Sequence, residues 1–259
     1  MSRFSLNYLG IFFILISFLS FFNIIYSYYF NLYLNIDTYI FTLFISLIIG
    51  AILLFKKKID KKITIYEKIL IVVIGYILLP IIISIPYYLS IYNISLLDCY
   101  FEAISGFTST GFTIIENIKD LDESLILWRS TSQWVGGIYF LFSIILLIDI
   151  FDNSLKKSLT NFISFNISEI FKQSFKILIL YIILTLVLFI VLNLIDIRSF
   201  DAFNLSMTII SSGGFLPVNN IEVIINSNFK EIVFSILMLT SFFSLFLSYN
   251  IIFLRKKSI

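Results

Sequence analysis

Histidine is absent from these 259 residues. No imidazole is therefore on hand as a general base, a proton relay or a metal ligand. Cysteine occurs once, at Cys99, which excludes a disulfide within the chain and a thiolate zinc cluster. Charge is scarce: Asp, Glu, Lys and Arg make up 13%, and the net charge is only +2. So small an excess points to no nucleic-acid partner. Proline (3) and glycine (9) are few, so the places where they gather stand out. No set of base, nucleophile and oxyanion donors can be assembled, so enzyme chemistry and an organic cofactor are not expected.

What is abundant is apolar. The chain is 59% hydrophobic, with a mean hydropathy of +1.03, against about 45–50% for soluble domains. This is the composition of an all-α integral membrane protein. Six runs are long enough for a crossing of roughly 20 residues: Leu9–Phe30, Tyr39–Phe55, Glu67–Tyr88, Leu125–Ile150, Ile177–Ile195 and Ile232–Leu254. The first lacks a small-residue cleavage site, so a removed signal peptide is not expected. Pro80 and Pro86 fall in the outer half of the third run. They either make room for a re-entrant segment or are ordinary membrane-helix prolines. Phe (30) and Tyr (15) are read as lipid-facing or packing residues. Residues 158–176 are more polar and read as an amphipathic connector at the membrane surface.

Ser105–Thr113, S-G-F-T-S-T-G-F-T, is a glycine–hydroxyl stretch inside this apolar background. It follows Leu96–Ile104, which is too short to cross. Irregular backbone at membrane depth is tolerated only where it is buried in protein or lines a wet cavity. Gly111 can take φ > 0 at little cost, so successive carbonyls could face one axis. A ring of carbonyls can replace the water shell of a cation. Ser199–Ile210 is likewise too short, and Ser211-Ser212-Gly213-Gly214-Phe215 follows it. An offset of 103 residues sets Asp98 on Asp201, Tyr100 on Phe203, Ser109 on Ser212, Gly111 on Gly214 and Phe112 on Phe215. The chain therefore divides into a leading hairpin with its basic loop (1–62) and two span–pore–span repeats (63–157 and 158–259). Two such units supply half of a carbonyl ring.

Charge placement orients the chain. With the N-terminus inside, only Lys119, Arg129, Arg198 and Lys230 of the 18 basic residues fall outside. Both termini are then cytoplasmic, and both glycine segments open at the outer mouth. Asp98, Glu102, Glu116, Asp120, Asp122, Glu123, Asp201 and Glu222 lie on that side, where they would concentrate cations or simply be hydrated. The lysine block Lys56–Lys62 also suits a surface of anionic membrane lipid. Gly136 and Gly137, in mid-span, read as close-packing residues. Arg129 could hold a loop by hydrogen bonds to carbonyls or snorkel to the headgroups. Glu102 could brace the short helix or face water.

At these residues the sequence resembles the Trk/Ktr/HKT superfamily of potassium transporters, most closely the bacterial Trk-type membrane subunit. The family's first pore stretch, D-A-x-F-E-A-x-S-G-F-T-T-T-G-A-T, is similar to Asp98–Thr113, D-C-Y-F-E-A-I-S-G-F-T-S-T-G-F-T. The family's W-R-S-x-x-Q-W-x-G-G matches Trp128–Gly137, and its second pore stretch resembles Ser211–Phe215. The resemblance implies potassium uptake across the bacterial cytoplasmic (inner) membrane, driven by the membrane potential, with coupling to Na⁺ or H⁺ left open. It implies a selectivity filter formed by Thr108, Ser109, Thr110 and Gly111, and by Ser211, Ser212, Gly213 and Gly214. Arg129 and Glu102 support it, and no metal is held beyond the transported K⁺. Gly at the key filter position, here Gly111 and Gly214, goes with potassium in the family, and Ser with sodium in some plant relatives. Phe112 departs from the family's small residue and could point behind the filter.

Family members carry an optional hairpin and four repeats, the third with a gating loop. Only the hairpin and two repeats are recognisable here. The expectation is a truncated or split product, because a gating loop found in one repeat makes the halves unlike. The competing expectation is a homo-oligomer in which two copies close the pore. A partner chain bearing the remaining repeats, or a cytosolic nucleotide-binding regulatory subunit on residues 156–176 and the basic tail, is implied by the family alone. The alternative to a conducting subunit is a non-conducting half-transporter or scaffold.

Overall fold

The computed structural model describes residues 3–55, 65–147 and 167–242. Among them every regular element is helical. Helices α1 (Arg3–Tyr29) and α2 (Ile36–Phe55) form an antiparallel hairpin. The face of α2 toward the protein carries Thr38, Tyr39, Thr42, Ser46 and Gly50, mostly one turn apart. Its Phe41, Phe44, Ile48 and Ile52 are exposed. Small and hydroxyl residues inside with large apolar ones outside is the pattern expected when lipid is the solvent, because apolar side chains gain nothing by leaving it. The Ser20 hydroxyl donates to the Tyr39 carbonyl at 2.7 Å, and Ser17 to that of Leu43 at 3.2 Å, stitching the pair together.

Helix α3 (Ile65–Ile83) ends at Ser84, and a single further turn, α4 (Ile85–Tyr88), continues it. The break has a cause. Pro86 sits in the first turn of α4 and has no N–H to donate backwards. The Ile83 carbonyl at this break accepts the Trp128 indole N–H at 3.0 Å. The short helix α5 (Leu96–Phe107) starts at Ser95, whose hydroxyl accepts from the Asp98 amide and donates to the Asp98 carboxylate at 2.7 Å.

Helix α6 (Glu123–Leu147) begins at Asp122, whose carboxylate accepts from the Ser124 amide at 2.8 Å. Helices α7 (Ile167–Leu194), α8 (Ser199–Ile210) and α9 (Asn228–Phe242) complete the chain. Helix α7 starts at Ile167, within the stretch expected to be a surface connector. Residues 148–166, the lysine block and the basic tail lie outside the described residues.

Among the described residues, four helical stretches are long and apolar enough to cross a membrane: Asn7–Tyr29, Tyr33–Phe55, Ile65–Tyr88 and Phe175–Leu194. They coincide with four of the six expected crossings. The fifth, α6, is 25 residues long, but Glu123, Arg129, Ser130, Thr131, Ser132 and Gln133 make its first half polar. That half is buried in protein. The described part of the sixth ends at Phe242.

The sequence offset reappears in the backbone. Leu96 maps to Ser199 and Phe107 to Ile210, so α5 and α8 share both bounds at an offset of 103. The single 3₁₀ turns Ile118–Asp120 and Ile221–Val223 obey the same offset. Helix α6 stands between the two halves and packs on both α5 and α8.

Candidate functional site

Each short helix ends in the same way. The Ser109 amide donates to the Gly106 carbonyl at 2.9 Å and the Thr110 amide to that of Ser105 at 3.0 Å. The Ser212 amide donates to Ile209 at 2.9 Å and Gly213 to Thr208 at 2.9 Å. This is a Schellman motif twice over, with serine instead of glycine at the left-handed position. Ser109 and Ser212 both have φ of 54°. Beyond the motif, the Ser105 hydroxyl donates to the Phe112 carbonyl at 2.6 Å, and the Thr208 hydroxyl to that of Phe215 at 3.0 Å. These four residues are again 103 apart in pairs. Two loops of different sequence thus share one backbone design.

The loops meet at their glycines. A Cβ on Gly111 would lie 2.6 Å from the Gly214 Cα, and one on Gly214 would lie 3.2 Å from the Gly111 Cα. Gly111 also has φ of 80°, a conformation that side chains disfavour. Thr108, Thr110, Ser212 and Gly214 are exposed beside this contact, with Ser109, Gly111 and Gly213 half-buried. Ser211 differs: it is buried, and its hydroxyl returns to the Met207 and Thr208 carbonyls. The Thr108 and Thr110 hydroxyls bond each other at 2.8 Å. Both short helices point their C-terminal ends, the negative end of the helix dipole, at the loops.

A buried ion pair lies behind the loops. Arg129 Nε donates to Glu102 Oε1 at 2.8 Å, and both residues are 1% exposed. The Thr113 hydroxyl lies 3.0 Å from both Glu102 oxygens and accepts from Arg129 Nη2 at 3.0 Å. The Ile114 amide donates to Glu102 Oε2 at 3.2 Å. Arg129 Nη1 donates to the Leu216 carbonyl at 3.3 Å, and the guanidinium lies 4.3 Å from the centre of the Phe215 ring. Arg129 therefore holds both loops and does not snorkel. Glu102, expected to brace the short helix or to face water, is buried and bonded to Arg129, Thr113 and the Ile114 amide.

One turn along α6, the buried Gln133 reaches the second loop. With its amide oriented so that every partner is satisfied, its oxygen accepts from the Gly214 amide at 2.9 Å and the Phe215 amide at 3.1 Å. Its nitrogen donates to the Thr208 hydroxyl at 3.0 Å. In the sequence Gln133 is one position of the Trp128–Gly137 motif, with no role of its own. The available signal was a wholly polar side chain in mid-helix, a rarity in a membrane segment. Gly136 and Gly137 divide the packing. A methyl on Gly136 would overlap the Phe107 carbonyl of α5, and one on Gly137 would meet the Tyr181 hydroxyl of α7 and press on Ser211 after α8.

The rim around the loops is polar. Arg198 pairs with Glu123, which raises its already high pKa further. Partial burial holds the Asp201 carboxyl above the ordinary carboxylate range, against the pull of Arg198. Asn219 bridges the rims: it accepts from the Ile118 amide at 2.8 Å and donates to Asn117 at 3.4 Å. Phe112 does not turn behind its loop. It is 69% exposed, whereas its counterpart Phe215 is 1% exposed beneath Arg129.

The family model TrkH, described as a cation transport protein, matches residues 35–259. The chain belongs to the TrkH family. It is thus a multi-pass membrane protein of a transport family and not an enzyme. An uncharacterized cation transporter of Methanocaldococcus jannaschii is 32% identical over 164 residues, 60% of this chain and 33% of that protein. The Trk system potassium uptake protein TrkI of Halomonas elongata is 46% identical over 55 residues, 21% of this chain and 11% of that one. The crystal structure of the potassium transporter TrkH from Vibrio parahaemolyticus superposes with a TM-score of 0.67 at 22% identity. That match covers 84% of this TrkH-family chain and 44% of the other. The chain spans less than half the length of these relatives.

Proposed function

We propose that the chain carries potassium into the cell across the cytoplasmic membrane, through a filter built partly from the loops 108–111 and 211–214. The carrying observation is the contact of Gly111 with Gly214. Two loops of one backbone design meet there, with hydroxyls and backbone on an exposed side and a buried Arg129–Glu102 pair behind. Carbonyls on such a rim suit a monovalent cation, and the helix C-termini favour positive charge. The basic-residue bias supports an orientation with both termini in the cytoplasm. Na⁺ or H⁺ coupling and a cytosolic regulator rest on family likeness alone.

The exposed Phe112 favours a pore completed by further repeats. Its equivalent, Phe215, is covered by the helix of the preceding repeat. By the same geometry another repeat would cover Phe112, from a second copy or a different chain. The test is rubidium uptake into liposomes under an inside-negative potential, with Gly111→Asp as control. Uptake abolished by the substitution supports conduction by assemblies of this chain alone. No uptake from folded protein overturns that and favours the half-transporter reading, in which a partner is required.

A further inference from the structure

Gln133 is fully buried, and its hydrogen bonds go to the second loop and to Thr208 on the short helix that leads into it. The assignment of its amide follows from the neighbour. The Thr208 hydroxyl has one proton, and that proton goes to the Phe215 carbonyl at 3.0 Å. It must therefore accept from Gln133, which leaves the Gln133 oxygen for the amides of Gly214 and Phe215.

Those two bonds have a geometric consequence. A trans peptide is planar, and its N–H and C=O point in opposite directions. No peptide in the described chain is cis. When the Gly214 N–H is held toward α6, the Gly213 carbonyl must face the other way. When the Phe215 N–H is held toward α6, the Gly214 carbonyl must do the same. Two successive carbonyls are thereby turned from the protein interior to the exposed side of the loop. The Phe215 carbonyl is turned back by Thr208 and ends the row.

The first loop lacks this device. The counterpart of Gly214 is Gly111, whose amide lies 3.4 Å from the Ser105 carbonyl of its own helix. Its outside support comes from Glu102, farther along at the Ile114 amide. The second loop is also fitted tightly to the glutamine: any Cβ on Gly213 would collide with the Gln133 amide.

We infer that Gln133 is a positioning residue that aims the Gly213 and Gly214 carbonyls, and through them sets the ion preference of the second loop. It touches no ion itself. The inference rests on the reading of these loops as a cation filter, and the experiment separates the two. Hydrogen–deuterium exchange is measured on the full chain in lipid nanodiscs for wild type, Gln133→Met and Gln133→Glu. Gln133→Met keeps the length and removes both functions, whereas Gln133→Glu keeps an acceptor for the two amides. In Gln133→Met, exchange in 211–216 is expected to rise about tenfold, the factor that roughly one net hydrogen bond represents. Exchange in 108–113 stays at the wild-type rate, and Gln133→Glu remains close to wild type in both segments. Unchanged exchange in 211–216, or an equal rise in both loops, overturns the positioning role.

The second readout is the ratio of rubidium to sodium uptake, in liposomes holding whatever assembly conducts. It is expected to fall several-fold in Gln133→Met and to recover in Gln133→Glu. A rise in exchange with an unaltered ratio overturns the link to ion preference. Wild-type protein that carries neither ion, alone or with a chain supplying further repeats, sinks the filter reading, while the exchange result still decides what Gln133 holds.

Discussion

Arg129 and Glu102 illustrate how much one buried pair can decide. Neither reaches water, so each is the counter-charge that the other has in the interior. Removing one member of such a pair typically costs about 3–5 kcal/mol, since the partner is left buried and unpaired. Arg129→Met should therefore lower unfolding stability by that amount. Adding Glu102→Gln should recover a large part of it, which a double-mutant cycle in mild detergent would read. Ser212 presents the opposite case. It holds φ of 54° with its side chain exposed. A left-handed serine costs about 1–3 kcal/mol, of which the extra chain entropy of glycine returns about 0.5–1 in the unfolded state. Ser212→Gly should raise the melting temperature slightly, and a fall would mean that the hydroxyl holds something in place.

Helix α6 is the strut of the arrangement. Its Arg129 and Gln133 are one turn apart and so share a face. Its next turn carries Gly136 against α5 and Gly137 against the end of α8. Polar residues in its first half hold the loops, and the glycines that follow admit the short helices. Gly136→Ala should displace α5, because the methyl meets backbone and not a flexible side chain. Overpacking of this kind costs about 1–3 kcal/mol. The expected signature is faster amide exchange across 96–107 with α1 and α2 unaffected. The leading hairpin bears on the same helix: Asn23 donates to the Ser124 carbonyl at 3.1 Å, and Tyr26 to Glu123 at 3.2 Å.

The molecule as a whole is asymmetric where its repeats are most alike. Phe215 is enclosed and Phe112 is not, although their loops share a hydrogen-bond plan. Phe215→Ala should cost about 3–5 kcal/mol, as large core truncations do. Phe112→Ala should stay within about 0.5 kcal/mol in the isolated chain, as exposed substitutions do. In a completed assembly the contrast should vanish, with Phe112→Ala weakening association in crosslinking or light scattering. A Phe112→Ala variant that assembles as wild type does would mean that the missing cover lies elsewhere.

Four of the crossings, the two short helices and the glycine–hydroxyl loops were legible in the sequence. They follow from local rules: run length against bilayer thickness, and the intolerance of lipid for open backbone. The repeat was legible as well, because a preserved offset is a property of the string. The two prolines of the third run were legible only as alternatives: Pro86 sits at the break after Ile83, while Pro80 lies within α3. What the string could not decide was direction and partnership. Whether Arg129 pairs or snorkels, whether Glu102 is wet, and which way Gly213 presents its carbonyl depend on residues tens of positions away. The same holds for Phe112 and Phe215, equivalent in sequence and opposite in burial. One is covered by a helix of the neighbouring repeat and the other is not, and only the packing of the repeats around α6 determines which.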